Sequence, residues 1–119
     1  MRGVSVLLCV CALALAVVSS TAAVNHPGYQ PQLLARISRE VFGPEWRAAF
    51  CITRYESTYG VNVVNGDQLS PWQIEVSAHP WVNARRLLTD WVYAARVAYR
   101  ISDGGTDWGA WSTHAECGV

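Results

Sequence analysis

The chain of 119 residues has no lysine; every basic residue is arginine, and nine Asp and Glu leave the formal net charge at +0. No basic block or stripe occurs, which argues against a face built to follow the phosphates of a nucleic acid. There is no Gly-x-Ser-x-Gly segment, so the nucleophile elbow of the serine hydrolases has no place. His26, His79 and His114 fall at no metal-ligating spacing with each other or with Cys51 and Cys117, and no metal site is expected. No internal repeat, low-complexity tract or second domain is visible. The one long apolar run, Val4 to Val18, is shorter than the roughly 20 residues a membrane-spanning helix needs.

That run is the first positive feature. Arg2 precedes it and the small residues Ser19-Ser20-Thr21-Ala22-Ala23 follow it, the pattern of a secretory signal peptide over residues 1–23, cut after Ala22 or Ala23. Cys9 and Cys11 leave with it. The remainder is expected outside the cytoplasm with no stable membrane anchor. Two cysteines stay, Cys51 and Cys117, and an even count in an exported chain points to a disulfide.

The mature chain reads as one small, mainly α domain with at most a small β-ribbon. Residues 24–43 are an extended leader and a first helix, in which Leu33, Leu34, Ile37 and Val41 recur at helical spacing. Gly43-Pro44 closes it, and residues 44–119 continue as the body of the domain. A second helix runs from Pro44 to about Ser57. Asn65-Gly66 marks a hairpin between Val63-Val64 and Leu69. Pro71 to Val76 leads into a short helix and turn near His79-Pro80-Trp81. The third clear helix has Thr89 as its expected cap, a stripe of Trp91, Ala94, Ala95, Ala98 and Ile101, and a stop at Gly104-Gly105. Six Trp and five Tyr imply a dense core or an aromatic-lined surface. Trp108 and Trp111 are assigned to core; Trp72 and Trp81 are the candidates for stacking on a ligand.

The residue that stands out is Glu56. At about 100° per residue, Arg47 and Arg54 fall on one side of the second helix and Glu56 on the other, beside Ala49 and Ile52. Burial there would raise its pKa and keep it protonated, as a general acid in glycoside cleavage must be. Asp67 and Glu75 are the nearest candidates for a second carboxylate, although Asp67 also suits the Asn-Gly-Asp turn and Glu75 suits an exposed position.

The segment Cys51-Ile52-Thr53-Arg54-Tyr55-Glu56-Ser57-Thr58-Tyr59-Gly60 resembles the Cys-Ile-x-x-x-Glu-Ser-x-x-Gly segment of goose-type lysozymes and lytic transglycosylases. Ser70-Pro71-Trp72-Gln73-Ile74 is similar to their Gly-x-x-Gln-Ile element. His79-Pro80-Trp81, Leu88 to Ala95 and Trp108-x-x-Trp111 resemble the later blocks, in order. Ser70 stands in place of the usual Gly, Tyr93 in place of an Asn, and Thr89-Asp90 in place of Asp-Pro.

The resemblance implies a lysozyme-like, two-lobed domain with a cleft. It implies Glu56 as the catalytic acid and Gln73 as a saccharide contact. Trp72, Ser57 and Tyr93 are further substrate-binding candidates. The implied substrate is the peptidoglycan glycan strand, cut between N-acetylmuramic acid and N-acetylglucosamine by a monomer needing no cofactor. A lysozyme-like protein that binds glycan or a partner without cutting is the alternative.

Overall fold

A computed structural model describes residues 28–119. The signal peptide expected over residues 1–23 and the start of the leader lie outside these residues. Helix α1 (Pro31–Phe42) opens with Pro31 in its first turn, where a missing N–H costs nothing. It buries Leu34, Ile37 and Phe42. A 3₁₀ turn, Gly43–Glu45, passes the chain into α2 (Trp46–Ser57). As the helical phase requires, α2 buries Ala49, Ile52 and Thr53 and leaves Arg47 and Arg54 exposed.

Three antiparallel strands follow: β1 (Val64–Asn65), β2 (Gln68–Leu69) and β3 (Ile74–Glu75), in that order across the sheet. Asn65-Gly66 does mark the hairpin, but Asn65 pairs with Gln68 and the two-residue loop is Gly66-Asp67. The third strand is not foreshadowed by any periodicity. Only two residues long, it exists because Gln68 and Leu69 pair with Glu75 and Ile74.

A short helix, α3 (Ala84–Thr89), is capped by Asn83, whose side chain accepts from the Arg86 amide. The last long helix, α4 (Trp91–Ile101), is capped by Asp90 rather than by Thr89. Thr89 instead ends α3 and its hydroxyl donates to the Arg85 carbonyl, 3.0 Å. One extended residue, Asp90 with ψ 92°, breaks the two helices and caps the second through the Tyr93 amide. Among the described residues no helix is long and apolar enough to cross a membrane.

The core lies where α1, α2 and α4 meet, and tryptophans knit it. Trp72 is 0% exposed. Its indole N–H donates to the Ala49 carbonyl of α2, 3.0 Å. The Trp72 carbonyl in turn accepts from the indole N–H of Trp111 in the C-terminal segment, 2.7 Å. Trp108 and Trp111 are buried, as the sequence led us to expect. Phe42 packs against Trp72 and Trp108.

The C-terminal segment is fastened a second time. The Cys51–Cys117 disulfide joins α2 to the 3₁₀ turn His114–Cys117, with a sequence separation of 66. Closing so long a loop removes unfolded-chain entropy worth about 4 kcal/mol as an upper figure.

Replacing both Cys51 and Cys117 by serine is expected to lower Tm by more than about 10 °C in thermal unfolding followed by circular dichroism; an unchanged Tm would contradict it. Trp72→Phe keeps a ring but deletes the indole donor to Ala49. It should cost roughly 1–3 kcal/mol in denaturant unfolding, and a cost near zero would remove Trp72 from its bridging role.

Candidate functional site

The last turn of α2 carries Glu56, and the chain directly after it is unusually bent. Thr58, Tyr59 and Gly60 all have positive φ, at 53°, 54° and 94°. Left-handed backbone at a β-branched residue is strained and needs surrounding structure to hold it. Several bonds do so. The Thr58 and Tyr59 amides donate back to the Arg54 and Thr53 carbonyls, each 3.0 Å. The Ser57 hydroxyl donates to the Thr53 carbonyl, 3.0 Å, and accepts from the Gly60 amide, 2.9 Å. Gly60 is required: a Cβ there would sit 2.6 Å from the Trp91 ring. Ser57 is therefore fully buried and serves the turn behind Glu56, not a substrate, which corrects its expected role.

Glu56 opens onto a cavity of about 360 Å³. Gln68, Gln73, Ile74 and Glu75 form one wall from the sheet side; Ala78 and His79 continue it. Ile101 at the end of α4 and Ala110, Trp111 and Ser112 of the C-terminal segment form the other. Gln68 and Glu75 are cross-strand partners, so the pairing of β2 with β3 sets both beside the cavity. Glu75, exposed as the sequence led us to expect, is thus the second carboxylate lining the space.

The half-buried Glu56 carboxyl is raised from its ordinary value of 4.5, first because burial penalises the charged form. The Thr113 hydroxyl, donating to Oε1 at 2.7 Å, opposes the rise, and the negative charge of Glu116 adds to it. Both residues sit on or beside the turn that Cys117 tethers. Thr113 carries no sequence signal as a partner of Glu56; it lies 57 positions away and meets it only through the fold.

Gln73 also faces the cavity, 7% exposed, from left-handed backbone with φ 49°. Its amide N–H donates to the Ser70 carbonyl, 2.9 Å. Among the described residues no hydrogen bond reaches its amide oxygen. Ser70, which stands where the resemblance has Gly, keeps φ at 82°. Its hydroxyl accepts from the Trp72 amide, 3.2 Å, and its amide donates to the Val63 carbonyl, 2.9 Å. Local hydrogen bonds thus hold a conformation that glycine would adopt freely.

Three other candidates lie elsewhere. Trp72 belongs to the core, with no face open to a ligand. Tyr93 does not line the cavity: its hydroxyl accepts from the Asn83 amide, 2.8 Å, and the Arg86 guanidinium lies over its ring at 4.0 Å. It braces the loop before α3. Asp67 does not line the cavity either. It accepts from the Ser77 hydroxyl and amide, and the hydroxyl bond above all holds its carboxyl below the ordinary 3.8. Its backbone carbonyl accepts from the Val76 amide, 3.0 Å, so it locks the hairpin loop onto the end of β3. Among the described residues no three His, Cys, Asp or Glu side chains come together as a metal would require.

The geometry is that of a cleft with one half-buried carboxyl of raised pKa, an available amide and a second carboxylate in its wall. No curated protein and no solved structure matches the chain. A family model described as a lysozyme-like domain matches residues 55–113. The match begins one residue before Glu56 and ends on its hydrogen-bond donor, Thr113. Over residues 55–113 the chain is similar to the lysozyme-like family, and every residue lining the cleft falls within that span.

Proposed function

We propose that this cleft cleaves the peptidoglycan glycan strand between N-acetylmuramic acid and N-acetylglucosamine, with Glu56 as general acid. The observation that carries the reading is the half-buried Glu56 carboxyl, raised in pKa by burial and open to a cavity of saccharide size. Glu56 gives its proton to the glycosidic oxygen as the bond from that oxygen to the anomeric carbon breaks. The ring left behind carries oxocarbenium character. Its positive charge is taken up by water or by the muramic acid's own hydroxyl, and the proton released returns to Glu56. Glu75, in the cleft wall, is the carboxylate placed to assist an incoming water. The Gln73 amide oxygen is free to accept an N–H or O–H from the sugar. The Cys51–Cys117 disulfide supports action outside the reducing cytoplasm, with residues 1–23 as the export signal and residues 24–119 as the mature, monomeric protein.

A second reading is a cleft that binds the strand without cutting it. The Glu56–Thr113 bond favours it, because one carboxyl oxygen is already engaged.

Glu56→Gln separates the two. Under the catalytic reading it lowers the rate of wall-suspension clearing by about 10²–10⁴-fold; equal clearing by both proteins would sink that reading. Mass spectrometry of the released muropeptides then shows water addition as reducing ends or ring closure as anhydro ends.

The pH dependence follows from the sign of the shift. Activity needs protonated Glu56, so it falls as pH rises through the folded-state pKa, and the raised value carries activity to higher pH than an unshifted carboxyl would. Thr113→Val removes the hydrogen bond that favours the charged form. The alkaline limb of the rate profile should therefore move to higher pH; movement to lower pH would contradict the assignment. Stability follows the same sign. The raised pKa favours folding below 4.5 and loses that contribution as pH climbs through the folded value, so Glu56→Gln gains on the native protein in Tm as pH rises to neutrality.

A further inference from the structure

Trp81 is 44% exposed, yet its backbone is not loose. The amides of His79 and Val82 close consecutive turns onto the Val76 and His79 carbonyls, at 3.1 and 3.0 Å. Val82 is buried next to it. A tryptophan fixed facing outward between such anchors forgoes the burial that its size normally gains. The Arg100 guanidinium lies over its ring, 4.1 Å from the centroid. Five arginines stack on aromatic rings among the described residues. The Arg100–Trp81 pair is next to the cavity. The ring of His79, a cavity residue, meets Trp81 edge-on at 6.0 Å, and Ile101, another, follows Arg100 in the chain.

Arg86 shows what a satisfied stack looks like: it covers Tyr93 and pairs with Asp90 at 3.1 Å. Arg100 is exposed, and among the described residues no carboxylate pairs with it. A guanidinium over a ring still has N–H groups to offer, and its planar fork can grip a carboxylate with two parallel hydrogen bonds. Trp81 beside it supplies an apolar plane for the ring or chain that carries the carboxylate.

We propose that Trp81 and Arg100 form an outer subsite of the cleft for a carboxylate carried beside the glycan, which on a wall strand with intact stems is a free carboxylate of the peptide stem. The proposal rests on the cleft being a glycan site. It makes the protein a reader of stem-bearing strands, and it gives Arg100 and Trp81 a role in specificity rather than in bond cleavage.

The test is titration calorimetry on the full-length Glu56→Gln protein, which holds the strand without turnover. The ligands are soluble wall fragments whose peptide stems carry free carboxylates, and the same fragments with those carboxylates converted to amides. The fragments with free carboxylates should bind about tenfold or more tightly. Adding Arg100→Gln should erase that preference, and adding Arg100→Lys, which keeps the charge but not the planar fork, should leave part of it. Raising salt from about 0.05 to about 0.5 M should shrink the preference of the Glu56→Gln protein itself, a readout that needs no change at Arg100. Equal binding of the two ligands, or a preference that survives Arg100→Gln, overturns the subsite. Failure to bind either fragment overturns the glycan reading of the cleft and the subsite with it.

Discussion

The interaction on which the rest depends is a relay of two indole hydrogen bonds. Trp72 donates to the Ala49 carbonyl and accepts, through its own carbonyl, from Trp111. Each bond is buried, where an unmade one would leave a desolvated polar group. The relay ties together α2, the segment entering β3 and the C-terminal segment. Those carry Glu56, Gln73 and Thr113 respectively. The cleft is thus the gap between three pieces of chain pinned at one point beneath it, and the sheet residues Gln68 and Glu75 reach it because β3 is pinned there.

The electrostatics of Glu56 follow from the same construction. Burial at the end of α2 raises its pKa, while Thr113 and Glu116 act in opposite senses from the tethered C-terminal turn. The disulfide holds that turn against α2, five residues before Glu56 in the chain. A carboxyl on α2 alone would have only its own helix for an environment. With the tail fastened beside it, it has a hydrogen-bond donor and a like charge, both delivered by residues near the opposite end of the domain. The outward tryptophan at 81 is fixed by the same logic on a smaller scale, with buried Val82 as its anchor.

The bent backbone is concentrated around the cleft. Thr58, Tyr59, Ser70 and Gln73 all hold positive φ. Two flank the loop after Glu56; the others place Gln73 and aim its amide. Such conformations persist when neighbours over-determine them, and here the neighbours are the Ser57 and Ser70 hydroxyls. This explains how the chain supports at position 70 a turn for which glycine is the ordinary choice.

The long helices were legible because helical phase is a local property. Leu34 and Ile37 mark the inner face of α1; Arg47 and Arg54 against Glu56 mark the two sides of α2, and the structure keeps both assignments. The cysteine count led to the disulfide, and the Asn-Gly pair to the hairpin. What sequence could not supply was everything that depends on pairing at a distance. The strand β3 exists only through its partners, the cap of α4 shifted to Asp90 once α3 formed before it, and Thr113 found Glu56 across 57 positions. Trp72 illustrates the limit most plainly. Its residue type permits either a sugar platform or a core pillar, and nothing in its neighbours along the chain chooses between them. The sequence by itself determined which residues could carry the chemistry and on which side of a helix the acid lies. The tertiary structure decided which aromatic faces stay open and which polar groups meet, because burial and hydrogen bonding between distant segments are properties of the packed chain.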